Sequence, residues 1–188
     1  AIKFDPDNAD SYSSRGDAYF YLDKYEESID DYTQAIKIDP DNADSYSSRG
    51  DAYFWLDKYE ESIDDYTQAI KIDPDDAYSY NSRAAAYASL DNFKKAIDDY
   101  TQAIKIDPDA AAAYEGRGDA YFWLDKYEES IDDYTQAIKI DPDDTYSYNG
   151  RGDVYYFLGV YDLAIDDYTQ AIKIDPDNAD SYMNRGVV

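Results

Sequence analysis

The chain has 188 residues, 44% of them hydrophobic, enough for a folded core. Its 17 basic residues face 43 acidic ones, and the resulting net charge of -26 repels phosphate backbones and anionic lipid, so neither nucleic acid nor a membrane is expected as a partner. Cysteine and histidine are both absent, which excludes thiol chemistry, zinc sites built on those ligands, Ser-His-Asp catalysis and imidazole acid-base work by this chain alone.

Residues 1–8 read as the tail of a second helix without its beginning. The opening Ala1-Ile2-Lys3-Phe4 lacks a Met and has the look of an excised piece. No secretory segment or long apolar run is legible, so the cytoplasm is the default expectation. From Ala9 onward one theme returns. Prolines stand at Pro6, Pro40, Pro74, Pro108, Pro142 and Pro176, at intervals of 34 residues, each inside an Asp-Pro-Asp triplet. This period divides the chain into full repeats at 9–42, 43–76, 77–110, 111–144 and 145–178, with partial repeats at 1–8 and 179–188, all forming a single array.

The repeat 43–76 serves as the template. Ala43 to Leu56 reads as a helix, Asp57-Lys58 as a tight turn and Tyr59 to Ile72 as a second helix. Asp57-Lys58-Tyr59-Glu60 has the form of a capping box, repeated at Asp23 to Glu26 and Asp125 to Glu128. Pro74 stops the second helix, and Asp75 or Asp76 suits the N-cap of the next. The repeats 9–42 and 43–76 differ only at Tyr21 versus Trp55 and Asn42 versus Asp76, so the array reads as recently duplicated or engineered.

At 100° per residue, Tyr46, Gly50, Tyr53 and Leu56 share the stripe of the first helix that must pack on neighbours, and Arg49 falls inside it. On the second helix the stripe is Tyr59, Ser62, Ile63, Tyr66, Ala69 and Ile70, with Asp65 at its margin. A guanidinium facing a core needs a carboxylate. Ion pairs are therefore expected within each repeat: Arg15 with Asp31, Arg49 with Asp65, Arg83 with Asp99, Arg117 with Asp133 and Arg151 with Asp167. Arg185 is expected to have no such carboxylate, because the sequence stops at Val188. Every Arg of the chain occupies this one position, whereas the Lys residues lie on second helices or in turns. The tripeptide Arg49-Gly50-Asp51 thus resembles an adhesion signal only in letters. Its Arg and Asp project about 200° apart on a helix, one toward the core and one away.

Gly50, Tyr53, Ser62, Tyr66, Ala69 and Pro74 match six signature positions of the tetratricopeptide repeat, and the chain resembles that family from end to end. Tyr46 stands where the family usually has Trp, and Arg49 where it usually has Leu. The resemblance implies an all-α, right-handed superhelical solenoid of antiparallel helix hairpins. It also implies a concave face, built from first helices, that binds a peptide or partner helix. Its candidate lining here is Asp17, Asp51, Asp119 and Asp153, with Asp10, Asp44, Tyr78 and Tyr146, with Asn81 and Asn149 beside Ser13, Ser47 and Glu115, and with the aromatic pairs Phe20-Tyr21, Phe54-Trp55, Phe122-Trp123 and Tyr156-Phe157. Ala85 and Ala88-Ser89 leave a small-residue gap. Acids beside aromatics suit Lys or Arg side chains, so a basic protein or peptide is the expected partner of a non-enzymatic scaffold. The aromatics are equally suited to packing on the adjacent repeat. Family members that hold chaperone tails do so with Lys, Asn and Arg, and no first helix here carries Lys. No cofactor or metal is expected, since the Asp-Pro-Asp turns lack EF-hand spacing, and repeated acids supply no unique catalytic pair. Two other readings stay open: a structural array that self-associates through uncapped ends, and an accessory segment of a larger enzyme.

Overall fold

The computed structural model describes residues 7–186; Pro6, the rest of the opening tail and Val187-Val188 lie outside the described residues. The chain divides into two compact units, Ala1–Asn92 and Phe93–Val188, and the boundary falls between the two helices of the 77–110 repeat. The first unit contains α1 (Ala9–Phe20), α2 (Tyr25–Ile38), α3 (Ala43–Trp55), α4 (Tyr59–Ile72) and α5 (Ala77–Ser89). The second contains α6 (Phe93–Ile106), α7 (Ala111–Phe122), α8 (Tyr127–Ile140), α9 (Thr145–Phe157), α10 (Tyr161–Ile174) and α11 (Ala179–Gly186). No strand occurs among the described residues. In the first unit α1 packs on α2, α2 on α3, α3 on α4 and α4 on α5; the second shows the same order from α6 to α11. No helix among the described residues is long and apolar enough to cross a membrane.

The turn inside each hairpin is built differently from the capping box expected of it. Asp23, Asp57, Asp91 and Asp125 adopt positive φ between 55° and 57°, and Gly159 at the same place has φ 74°. This is the left-handed residue that closes a helix C-terminus: Asp57 N–H donates to the Phe54 carbonyl and Lys58 N–H to that of Tyr53. The N-cap of α4 is Lys58, which makes no side-chain capping bond. Asp57 lies one residue too early to cap, and its carboxylate accepts instead from the Tyr59 hydroxyl at 2.7 Å. Aspartate tolerates this backbone better than bulky residues do, which explains why Gly can replace it at 159.

First helices are capped by side chains. Asn8 and Asn42 accept from Ser11 and Ser45 N–H, and Asp76 and Asp144 each accept from two backbone N–H groups of the next turn. The Asp before each of the five described prolines folds back on its own turn, as when Asp73 accepts from Asp75 N–H. These acids therefore serve backbone geometry, and no cluster of three or more acids among the described residues is arranged to hold a metal ion. The exception is α7, which starts after Ala110 with no side-chain acceptor. Ala110→Asp is expected to add about 1 kcal/mol of stability, read as a higher urea midpoint at unchanged slope.

The core is made of small residues and one tyrosine per repeat. Tyr32, Tyr66, Tyr100, Tyr134 and Tyr168 are buried, as are Ala35, Ala69, Ala103, Ala137 and Ala171. The buried side of α3 is Ser45, Ser47, Gly50 and Ala52, whereas Tyr46, Tyr53 and Leu56 are only half-buried. Hydrophobicity pointed to the tyrosines because the residues that allow helices to approach are too small to score. A Cβ on Gly50 would sit 2.9 Å from the Tyr66 ring, so a side chain at position 50 would force that ring to shift.

Candidate peptide-binding face

Arg49 Nε and Nη2 donate to the two Asp65 oxygens at 2.7 Å each, a bidentate pair with side-chain exposures of 16% and 7%. Arg117 with Asp133 and Arg151 with Asp167 repeat this geometry, and Arg15 with Asp31 does so with its guanidinium 47% exposed. Arg83 and Asp99 belong to different units; Asp99 is buried in α6, and Arg83 donates to Thr67 within its own unit.

A second contact of these arginines has no counterpart in the sequence reading. The Arg49 Nη1 donates to Thr33 Oγ1 of the preceding repeat at 2.9 Å, Arg117 to Thr101 and Arg151 to Thr135. Arg185 likewise donates to Thr169 at 3.4 Å. The guanidinium also lies against Tyr46 and Tyr53, with centroids 5.8 and 6.0 Å away. One planar cation therefore joins both helices of its own repeat and the second helix of the one before. Arg49, Arg117 and Arg151 are all used in this way and do not neutralise the acids of the first helices.

Those acids are less open than expected. Asp51 accepts from the Tyr66 hydroxyl at 2.6 Å and, with both oxygens, from that of Tyr78 at 2.8 Å. Asp119 is held in the same way by Tyr134 and Tyr146, Asp153 by Tyr168 and Asn184, and Asp17 by Tyr32. The carboxylate expected to point freely away from the core is a bolt between its own second helix and the next first helix. Burial pushes Asp51, Asp119 and Asp153 above the ordinary carboxylate range, because hydroxyls replace water without supplying positive charge. A trace of this was legible: Tyr78 and Tyr146 each follow a repeat that carries the Asp, whereas Ala112 follows the repeat that has Ala85.

The aromatic pairs divide by position. Phe20, Phe54, Phe122 and Tyr156 close their own hairpins against Tyr25, Tyr59, Tyr127 and Tyr161. Tyr21, Trp55, Trp123 and Phe157 stay exposed, at 85%, 62%, 66% and 63%. Trp55 stacks one face on Tyr25 of the preceding repeat with an interplanar angle of 8°, and Trp123 does the same on Phe93. In the first unit a polar cavity of about 340 Å³ lies between α1 and α3, lined by Asp10, Asp17, Asp44 and several serines. A smaller one of about 120 Å³ lies between α3 and α5 beside Trp55 and Asn81. Ser47 is buried, its hydroxyl donating to the Asp44 carbonyl, and so does not line the face.

The geometry agrees with what known proteins show. Models of the TPR repeat and tetratricopeptide repeat match residues 16–57, 50–91, 118–159 and 152–188, and residues 77–110, respectively. The chain belongs to the tetratricopeptide repeat family. Among solved structures, the TPR fold of MamA superposes with a TM-score of 0.81 at 24% identity, covering 88% of this chain and 96% of that one. YrrB, described as a TPR protein with an unusual peptide-binding site, superposes with 0.79 at 17% identity over 98% and 95%. The first TPR of Spaghetti (RPAP3), bound to the HSP90 peptide SRMEEVD, superposes with 0.61 at 32% identity over 62% of this chain and 93% of that one. No curated protein matches in sequence. TPR arrays mediate protein-protein interaction and are generally non-catalytic.

One TPR position here is pH-sensitive. Glu115 of α7 faces Asp144, Asp119 and Ser147, and burial, followed by the charge of Asp144, pushes it up to about 7. The folded chain then holds a proton that the unfolded chain releases at lower pH, so stability is complete below the unfolded value and is lost as pH rises toward 7 and beyond. A thermal midpoint that falls between pH 5.5 and 8 is expected, with a shallower fall in Glu115→Gln, which is more stable than the parent at pH 8.

Proposed function

We propose that this TPR array is a non-enzymatic scaffold whose first-helix face binds a basic peptide or protein segment. The observation that carries this reading is charge segregation. The arginines of interior repeats are engaged by carboxylates or threonines, no lysine lies on a first helix, and Asp10, Asp17 and Asp44 of the first unit line a cavity with serines and no cation. Trp55, which ends α3, stands exposed, as does Trp123 at the C-cap of α7 in the second unit. Such a surface favours Lys and Arg through charge and through ring faces. An acid-rich peptide such as the one bound by the Spaghetti domain would be repelled here.

The test must avoid Asp51 and Asp119, whose substitution would disturb the tyrosine bolts. Asp10→Lys with Asp44→Lys changes exposed carboxylates only. A Lys/Arg-rich peptide is expected to bind the parent at low salt, about tenfold more weakly to this double variant, and hardly at all near 0.5 M salt. Equal binding of a glutamate-rich peptide would overturn the reading. A second reading, self-association, is favoured by the exposed Leu158, Val160, Tyr161 and Leu163 of the last full repeat, of which Val160 and Leu163 stand where the template carries Lys58 and Glu61. Sedimentation equilibrium across a concentration series decides it, a monomer throughout being the contrary result.

A further inference from the structure

The small cavity between α3 and α5 has an unusual inventory. Asp51, Phe54, Trp55, Tyr66, Asn81 and Ala85 line it, with Ser82 at its edge. Asn81 Oδ1 is buried and accepts no hydrogen bond. Asp51 meets two hydroxyls and no cation. Trp55 has one ring face covered by Tyr25 and remains largely exposed. A buried acceptor without a donor, a carboxylate without a countercharge and an open indole share one need: a cation with N–H donors.

The cavity exists because the 77–110 repeat departs from the others. Ala85 stands where the neighbouring repeats carry Asp, and Ala88-Ser89 where they carry large aromatics. In the second unit the matching positions are filled by larger side chains: Phe157 packs on Phe122 with centroids 5.0 Å apart, and Asp153 is bonded to Tyr168 and Asn184. The small-residue gap that looked like a break in the lining is what opens this site. Its volume of about 120 Å³ suits one side chain, not a folded element.

We infer that this cavity is a subsite for a single arginine or lysine side chain of a partner, its N–H groups donating to Asn81 Oδ1 and Asp51 while Trp55 lies against its charge. This rests on the reading of the face as a site for basic segments, and it names where one residue of such a segment seats. The test uses the full chain labelled with ¹⁵N, in which the two tryptophan indole N–H signals report separately on Trp55 and Trp123. The probe is a ten-residue Gly/Ser peptide with one central Arg, and its twin with citrulline, which has the same shape without the charge. The Arg peptide is expected to shift the Trp55 signal saturably and leave that of Trp123 in place, and the citrulline peptide to do neither. Asn81→Ser, which installs the residue found at Ser47, should weaken the effect about fivefold, and Ala85→Leu should abolish it by filling the cavity. Equal shifts with citrulline, or Asn81→Ser and Ala85→Leu variants that respond like the parent, overturn the subsite. If Lys/Arg-rich peptides still bind in that case, the wider reading survives. If they do not bind either, both fall.

Discussion

Asp65→Ala is expected to cost about 3–5 kcal/mol of unfolding free energy, the largest effect of any single carboxylate in the first unit. The reason is the charge left behind, since Arg49 is 16% exposed and would keep its guanidinium between two tyrosine rings with only Thr33 as acceptor. Urea unfolding followed by Trp55 fluorescence in a Trp123→Phe background measures it where it acts. Two comparisons separate this cause from simple loss of a contact. Asp31→Ala is expected to cost only about 1 kcal/mol, because Arg15 is 47% exposed and keeps its water. Removing both partners, as Asp65→Ala with Arg49→Met, should recover most of the loss, because no buried charge then lacks a partner. A double variant as unstable as Asp65→Ala alone would show that the pair stabilises by its own bonds.

Asp119→Ala is expected to cost about 2–3 kcal/mol, whereas Asp119→Asn should cost less than about 1 kcal/mol. Alanine leaves the Tyr134 hydroxyl without an acceptor in a ring that is only 3% exposed, while Tyr146, at 52%, can turn to water. Asparagine keeps an acceptor oxygen and removes a charge that burial already disfavours. Thermal unfolding at pH 7.5 discriminates the two substitutions, and equal losses would mean that charge, not hydroxyl satisfaction, holds the bolt. The functional corollary is that reversing charge at Asp51 or Asp119 would report on folding before it reported on binding, so Asp10 and Asp44 are the positions at which binding is tested.

The bond between Arg49 and Asp65 follows from helix rotation, which places Arg49 in the packing stripe and Asp65 at the margin of the stripe it faces. The same rotation set Asp51 pointing away from the core, yet its carboxylate accepts from Tyr66 of α4, the helix that also carries Asp65. What rotation did not contain is the Tyr78 hydroxyl, which arrives from 27 residues further on, in the next repeat. Asp57 shows a similar limit: its spacing to Glu60 fits a capping box, yet the chain must reverse at that point, and the left-handed residue the reversal needs is Asp57 itself.

By itself, then, the sequence determined the 34-residue period, the two helices per repeat, the placement of Arg49 toward Asp65 and the excess of acid. These are local quantities, governed by 3.6 residues per turn and by proline chemistry. The tertiary structure alone decided that the repeated aspartates are bolts and that a gap of small residues opens a cavity. It also decided that the core is lined by serine, glycine and alanine. Such outcomes depend on the offset between one stacked helix and the next, a distance across space that no periodicity along the chain encodes.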